Sequence, residues 1–185
     1  MKIERLLLLG GTGAVGQAAL AQALLDTDIV RVIAPTRNAL PPHPKLSNPL
    51  LDFQNLPLSY DQASHDLQQI FNCDAVICAL GTTLKQAGSK AAFAAIDKDL
   101  VLALARLARS GGAQHFALNS SLGASDKGSF YLRTKAAAEA GITNMNFAHT
   151  VIVRPSLIDS DRHGQRPLEH VGVVAARLAR SIIPA

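Results

Sequence analysis

Short apolar runs alternate along the chain with stretches in which apolar residues recur every three or four positions. The runs fit buried β-strands, and the recurring patterns fit helices that pack by one face. The predicted strands are residues 6–9, 29–34, 48–53, 74–80, 114–118 and 150–153. The predicted helices are a segment directly after the first glycines and residues 60–71, 90–109 and 129–140. Such alternation predicts the α/β class, with a doubly wound parallel sheet covered by helices on both faces.

The first apolar run ends in a glycine-rich turn, residues 10–16, with the sequence GGTGAVG. Glycines let backbone N–H groups and the positive end of a helix dipole approach the pyrophosphate of a dinucleotide. The spacing fits two registers, one that begins at Gly10 and one that begins at Gly11, and both share Gly13 and Gly16. Because a strand precedes the turn and a helix follows it, we favour dinucleotide binding in a Rossmann-like fold over a purely conformational turn.

The second predicted strand ends in Pro35-Thr36-Arg37, about twenty residues beyond the glycines, where a Rossmann domain contacts the adenosine ribose. An acidic residue there would bind the ribose 2′-hydroxyl of NAD, whereas an arginine pairs with the 2′-phosphate of NADP. The stretch offers Arg37 and no acid. NADP(H) is therefore the predicted cofactor, and a solvated surface arginine is the alternative interpretation of Arg37.

The composition fits one domain that acts on a small molecule. The 185 residues, 48% of them hydrophobic, are enough for a sizeable core, and we predict one domain over 1–185 with a short substrate-side segment from about 155 to 185. The net charge of +4 comes from scattered basic residues, and aromatic residues make up only 4%. Nucleic acid is therefore not a predicted partner, and a small-molecule substrate is.

The amino-terminal apolar run is too short for a signal sequence or a membrane span, so we predict a cytoplasmic protein without membrane insertion. Cys73 and Cys78 flank an apolar run and have no cluster of cysteines or histidines beside them. We interpret both as small buried side chains rather than as a metal site or a redox pair.

Candidate catalytic residues follow the fifth predicted strand. Tyr131 and Lys135 are four positions apart on a predicted helix and share a face. A phenol has a pKa near 10, and a neighbouring ammonium favours its ionised form. We predict that Tyr131 exchanges a proton with substrate, Lys135 activates it and Ser121 hydrogen-bonds the substrate oxygen. Ser120 is the alternative serine, and a half-buried tyrosine beside a solvated lysine is the non-catalytic interpretation.

Taken together, these residues resemble the short-chain dehydrogenase/reductase superfamily in its atypical branch, most closely the Tat-interacting-protein oxidoreductase-like family. The likeness extends over nearly the whole chain. Its matching segments are 10–16, 78–83, 97–99, His115-Phe116, Ser120-Ser121, Tyr131 with Lys135, and Arg154-Pro155. The resemblance implies an NADP(H)-binding Rossmann fold in which the glycine register begins at Gly10.

The resemblance also implies roles around the cofactor. Arg37 would lie beside the 2′-phosphate, Leu80 and Gly81 beside the adenosine ribose and pyrophosphate, Lys135 on the nicotinamide ribose and the segment after Pro155 near the nicotinamide. The predicted cofactor-binding residues are Gly10, Gly11, Thr12, Gly13, Ala14, Val15, Gly16, Arg37, Leu80, Gly81, Thr82, Tyr131, Lys135 and Pro155. The predicted catalytic residues are Tyr131, Lys135 and Ser121.

Two features depart from the wider superfamily. Asp97 stands where many relatives carry an asparagine that supports the lysine through water, which puts a proton relay here in doubt. Thirty residues follow Pro155, which favours a small substrate pocket, built from the 85–90 turn and the 156–164 loop, over a nucleotide-sugar cleft. The candidates for holding an acidic substrate are Lys85, Arg162 and His163, although such loop charges are usually only solvated.

Three functions follow from these features. We favour an NADP-dependent oxidoreductase that acts on a small carbonyl or hydroxyl compound. The alternatives are an NADP(H)-sensing regulatory protein that acts through protein partners, and an epimerase or dehydratase on the same scaffold. A homodimer is also expected, because the helices offer apolar faces. The amphipathic tail 167–183, whose apolar face is Val171, Val174, Leu178 and Ile182, is expected to pack on the domain or on a second subunit rather than on a membrane surface.

Overall fold

The computed structural model describes residues 2–57, 59–155, 173–174 and 176–178. Six parallel strands form one sheet in the order β3-β2-β1-β4-β5-β6. The strands are β1 (Ile3–Leu9), β2 (Ile29–Ile33), β3 (Leu46–Ser47), β4 (Ala75–Cys78), β5 (His115–Asn119) and β6 (His149–Val153). The predicted Rossmann-like, doubly wound α/β fold is confirmed.

Helices connect the strands. They are α1 (Ala14–Leu25), a 3-10 turn (Tyr60–Gln62), α2 (His65–Phe71), α3 (Leu84–Ala87), α4 (Lys90–Ala94), a π-helical segment (Ala95–Leu100), α5 (Val101–Ser110) and α6 (Phe130–Thr143). The chain builds outward from β1 to β3 and then returns to β4 on the other side of β1. A crevice therefore opens at the carboxyl ends of β1 and β4, where ligands bind in folds of this kind.

The all-apolar sequence of β1 follows from its place at the centre of the sheet. Leu6 and Leu8 lie in one buried cluster with α1, whereas Leu7 and Leu9 lie in a second buried cluster with α5. Successive side chains of a strand point to opposite faces, and here both faces are covered. Burial on both sides thus requires four consecutive leucines where a one-sided sheet would show alternation.

The third strand begins and ends earlier than the predicted 48–53. β3 is Leu46–Ser47, and beyond it only an isolated bridge joins Thr36 to Leu50. The Asn48 side chain breaks the ladder, because its Nδ2 donates to the Ala34 carbonyl at 2.6 Å and to Thr36 Oγ1 at 2.7 Å. Proline at position 49 brings no N–H to the sheet.

Two predicted helices are also less regular than their apolar spacing suggested. The 60–71 helix divides at Ala63, because Ser64 starts a new helix by accepting a hydrogen bond from the Leu67 N–H at 3.3 Å. The 90–109 helix is uninterrupted but contains the π-helical segment in its middle. In the predicted tail helix, Val174 and Leu178 are buried in the α1-side cluster, whereas Val171 and Ile182 lie outside the described residues.

Candidate functional site

Two glycines of the first turn are required by the backbone. Gly10 has φ +86°, and a Cβ there would lie 2.7 Å from the Leu80 backbone nitrogen. A Cβ on Gly16 would lie 1.9 Å from the Gly10 carbonyl oxygen. At Gly11 the nearest atom would be 3.7 Å away, which is ordinary contact, and a Cβ on Gly13 would meet only the Gly10 oxygen at 3.5 Å. The geometry therefore favours the register that begins at Gly10.

The start of α1 leaves backbone donors available. Gly13 is the N-cap and supplies no side-chain hydrogen bond, and the first turn carries no acidic residue. The Gly13 N–H donates to the Gly10 carbonyl and the Gln17 N–H donates to the Gly13 carbonyl. The intervening N–H groups, those of Ala14, Val15 and Gly16, donate to no described residue. Unpaired N–H groups at the positive end of a helix dipole suit a diphosphate.

The turn after β4 touches the glycine turn, as its position at the carboxyl end of a central strand predicts. The Ala79 N–H donates to the Leu9 carbonyl at 2.8 Å, and Gly10 abuts the Ala79–Leu80 peptide. Residues 80–82 thus start directly beside the candidate phosphate cradle. The predicted cofactor residues on these two turns therefore meet in one crevice.

Arg37 is exposed on the loop that follows β2. Asn48 braces this loop, because its Oδ1 accepts a hydrogen bond from the Leu40 N–H at 2.7 Å. The Leu40 side chain in turn packs beside Gly11, since a Cβ on Gly11 would lie 3.7 Å from Leu40 Cδ1. The loop that carries Arg37 therefore borders the glycine turn.

Lys135 and Asp97 form a buried ion pair next to the β4 turn. The Lys135 Nζ lies 2.6 Å from Asp97 Oδ1, and the two side chains are 9% and 0% exposed. The other carboxylate oxygen, Oδ2, accepts the Thr82 N–H at 2.8 Å. Burial raises the pKa of Asp97, and the Lys135 ammonium and the Thr82 N–H oppose that shift. Gly81 covers the pair, because a Cβ there would lie 3.3 Å from Asp97 Oδ1 and 3.5 Å from Lys135 Nζ.

Tyr131 is half-buried on α6, one turn before Lys135. Its ring packs against the Phe93 ring with centroids 5.4 Å apart, and the Lys135 Nζ lies 6.0 Å from its ring centroid. The phenol hydroxyl donates to none of the described residues. The ring is therefore held in place while its hydroxyl stays available for a ligand.

The two serines after β5 have different surroundings. Ser120 donates to Glu139 Oε1 at 2.5 Å, and Arg154 binds the same carboxylate through Nε at 2.9 Å and a terminal nitrogen at 2.5 Å. Burial raises the pKa of Glu139, but the hydrogen bonds from Arg154 and Ser120 outweigh it and hold that pKa below its usual range. The Ser121 hydroxyl has only a 3.4 Å contact to the Leu122 carbonyl. Ser121 is thus the serine with the less committed hydroxyl.

Glu139 was missed by the sequence analysis. It continues the four-residue spacing of Tyr131 and Lys135 along one face of α6, and that spacing was the available signal. Through Arg154 and Ser120 it ties α6 to the ends of β5 and β6. The Leu122 N–H donates to the Pro155 carbonyl at 2.8 Å, which holds predicted residue Pro155 beside the serines.

The remaining predicted residues give a mixed result. Cys73 and Cys78 are buried, as predicted, and neither is in a disulfide; burial raises their pKa values to about 12 and about 11. Lys85 is exposed on α3. The 156–164 loop, with Arg162 and His163, lies outside the described residues.

None of the helices that the structure describes is long and apolar enough to cross a membrane.

Comparison with protein families gives one matching model, which is described as NAD(P)H-binding and covers residues 10–179. Among curated proteins, the chain is 32% identical over 174 residues to Protein HTATIP2 of Rattus norvegicus, covering 91% of this chain and 69% of the relative. It is 34% identical over 168 residues to the Emericella nidulans Protein fmp52, mitochondrial, covering 89% and 71%.

Solved structures share the fold. The Bordetella bronchiseptica enzyme WbmH in complex with NAD+ superimposes with a TM-score of 0.70 at 15% identity, covering 97% of this chain and 72% of that one. MoeE5 in complex with UDP-glucose and NAD gives a TM-score of 0.63 at 16% identity, covering 81% of this chain. This chain spans about half the length of MoeE5, at 53%. At these identities the likeness shows the fold alone.

Proposed function

The chain belongs to the NAD(P)H-binding family, in its atypical short-chain dehydrogenase/reductase branch, and from that premise we propose that it is an NADP(H)-dependent oxidoreductase. Its substrate would be a small carbonyl or hydroxyl compound. One observation carries the proposal: residues 79–82 contact the glycine turn at one end and the Lys135–Asp97 pair at the other. The candidate cofactor cradle and the Lys135 ammonium are therefore joined by one turn, and the ring of Tyr131, the candidate proton donor, lies 6.0 Å from that ammonium.

The residues of the crevice fit a nicotinamide dinucleotide. The free N–H groups at the start of α1 would bind the diphosphate, and the bare surface of Gly13 leaves room for it. Arg37 would pair with the 2′-phosphate, which favours NADP over NAD. Lys135 would face the nicotinamide ribose, and Leu80 and Gly81 would lie beside the adenosine ribose and pyrophosphate. The choice of NADP over NAD rests on Arg37 and on the lack of an acidic residue beside it in the sequence.

Three side chains, those of Tyr131, Ser121 and Lys135, would take part in the reaction. When bound, the reduced cofactor supplies a hydride to the substrate carbon. Tyr131 would give the proton of its hydroxyl to the substrate oxygen, and Ser121 would hydrogen-bond that oxygen where negative charge builds. Lys135 would stabilise the phenolate that remains on Tyr131 by the part of its charge that Asp97 does not offset. Oxidation of an alcohol runs through the same groups in reverse.

Turnover tests this proposal most simply. We expect purified protein to oxidise NADPH in the presence of some members of a panel of small aldehydes and ketones. Tyr131→Phe is expected to lower the rate by about a hundredfold or more, the usual share of a general acid, while it keeps cofactor affinity. The chain has two tyrosines, so Tyr60→Phe is the matched control and should keep full activity.

The alternatives predict different outcomes of the same assay. Cofactor binding without turnover on any substrate, unchanged by Tyr131→Phe, would favour the NADP(H)-sensing regulatory protein. Conversion of a sugar nucleotide without net consumption of cofactor would favour an epimerase. A failure to bind either NADPH or NADH would exclude the oxidoreductase.

Compartment and assembly remain predictions. The sequence predicts a cytoplasmic protein, whereas the fungal relative carries the word mitochondrial in its name. Fractionation of cells that express the chain at its natural level distinguishes the two compartments. A homodimer predicts a mass of twice 19.5 kDa in light scattering.

A further inference from the structure

The Asp97 carboxylate binds two donors that come from different elements. One oxygen lies 2.6 Å from the Lys135 ammonium of α6, and the other accepts the Thr82 N–H of the β4 turn at 2.8 Å. Both donors need an acceptor oxygen, and an asparagine offers only one. A carboxylate at position 97 can therefore offer a separate oxygen to each donor, which an amide cannot.

The same stretch of helix positions both members of the candidate catalytic pair. Phe93 of α4 packs against the Tyr131 ring, and Asp97, four residues later in the π-helical segment, binds Lys135. π-Helical turns inside α-helices occur often at functional sites. The segment between α4 and α5 thus fixes the ring and the ammonium together.

We propose that Asp97 is a positioning residue that holds the Lys135 ammonium against Gly81 and offsets much of its charge at the Tyr131 phenol. An ammonium alone would favour the phenolate, whereas an ion pair with little net charge leaves the phenol protonated. A protonated phenol is a proton donor. The site is therefore set for carbonyl reduction, in which the cofactor gives a hydride to the carbonyl carbon and Tyr131 gives its proton to the oxygen. This last step rests on the proposed function.

Other charged or titratable groups around the pair do not replace this effect. Cys78 of β4 feels both Lys135 and Asp97, but burial raises its pKa to about 11 and keeps it neutral at neutral pH. Glu139 of α6 lies near Lys135 and is already bound by Arg154 and Ser120. Lys90 of α4 lies over the Phe130 ring, 5.7 Å from its centroid. Asp97 is the carboxylate in direct contact with Lys135.

Titration of the phenol tests the proposal without cofactor or substrate. In a Tyr60→Phe background Tyr131 is the only tyrosine, and the chain has no tryptophan, so phenolate absorbance in the near ultraviolet reports Tyr131 directly. The variants are Asp97→Asn, Lys135→Gln and the two combined. The matched control is Asp99→Asn, which removes an exposed carboxylate from the same segment. Circular dichroism at each pH confirms that the chain is folded.

The Tyr131 midpoint of the parent is the reference against which each variant is compared. Asp97→Asn should lower the midpoint by about one unit, because Lys135 then acts without its counter-charge. Asp99→Asn should leave it in place. A midpoint unchanged or raised in Asp97→Asn would overturn the proposal.

The paired variants keep the test decisive if Asp97→Asn does not fold. Lys135→Gln leaves the Asp97 carboxylate unpaired and should raise the Tyr131 midpoint above that of the parent. Adding Asp97→Asn to it removes that charge and should return the midpoint to the parent value. Equal midpoints in the single and the double variant would overturn the proposal. Because no cofactor is present, either result is independent of whether the protein binds NADPH or turns over a substrate.

Discussion

Gly10 lies so close to Leu80 that a β-carbon on Gly10 would sit 2.7 Å from the Leu80 backbone nitrogen. This contact joins the turn after β1 to the turn after β4 at the point where the strand order reverses. The turn after β4 continues to Gly81 and Thr82, which contact the Lys135–Asp97 pair. The backbone of these two turns thus connects the end of β1 to the side chains of the Lys135–Asp97 pair.

The glycine turn makes the first prediction, which concerns stability. Gly16→Ala places a methyl group 1.9 Å from the Gly10 carbonyl oxygen, so the turn must distort. We expect the free energy of unfolding, measured by urea denaturation, to fall by about 2 kcal/mol or more. Gly11→Ala is the matched control, because its methyl group would meet only ordinary contacts. Equal stability of the two variants would contradict the close approach of Gly16 to the Gly10 carbonyl oxygen.

Arg37 makes the second prediction, which concerns the choice of cofactor. Arg37→Gln should weaken NADPH binding by about tenfold, the equivalent of about 1.4 kcal/mol for one charge-assisted contact, and leave NADH binding unchanged. Calorimetry with both cofactors measures the difference. Arg31→Gln, another exposed arginine on the neighbouring strand β2, is the control. A loss of affinity for both cofactors to the same degree would speak against a role at the 2′-phosphate.

Glu139 makes the third prediction, which concerns acid stability. Its pKa is held low in the folded chain, so its contribution is present above the unfolded value of about 4.3 and is lost as the pH falls through the folded value. Glu139→Gln should lower the stability at neutral pH and flatten its decline in acid. Glu4→Gln removes an exposed carboxylate from β1 and should do neither. The prediction would be contradicted if the free energy of unfolding of Glu139→Gln fell in acid as steeply as that of the parent.

The stacked histidines make the fourth prediction. His115 of β5 is buried and lies on His149 of β6, with ring centroids 4.7 Å apart and planes 10° apart. Burial lowers the pKa of His115, the His149 ring adds to that shift, and Asp74 opposes it. The unfolded chain therefore binds the proton more readily, so stability falls as the pH drops below about 6.5 and levels off below the folded pKa.

The free energy of unfolding, measured by denaturation at several pH values between neutral and pH 5, checks this fourth prediction. The contribution of Glu139 to stability changes only at lower pH. His115→Gln should flatten the stability profile there. His65→Gln, on an exposed position of α2, should leave the slope as it is. A steeper slope in His115→Gln would mean that the folded chain stabilises the protonated ring instead.

The elements that depend on burial and glycine were predictable from sequence. Four leucines in a row indicated a strand covered on both faces, and the glycines indicated the turn that follows it. The spacing alone did not choose the register, because Gly10 and Gly11 are adjacent and either fits. The resemblance implied the register that begins at Gly10, and the approach of the β4 turn to Gly10, a contact between residues distant in sequence, supports it.

The features that depend on side-chain geometry were not predictable. The sequence around Asn48 predicts a strand. Its side-chain amide nevertheless interrupts the strand pairing, because it donates to the Ala34 carbonyl just after β2. The π-helical turn around Asp97 leaves the three-to-four spacing of apolar residues intact. The resemblance related Asp97 to the lysine through the asparagine of relatives, but it did not predict the direct ion pair that Asp97 forms with Lys135.

Cofactor titration tests the central claim most directly, because the proposed oxidoreductase activity requires a dinucleotide held by the glycine turn. We predict that NADPH binds the purified chain saturably at one site, as followed by cofactor fluorescence, and more tightly than NADH. Gly16→Ala should abolish that binding and Gly11→Ala should keep it. A folded wild-type chain that binds neither NADPH nor NADH would contradict the account.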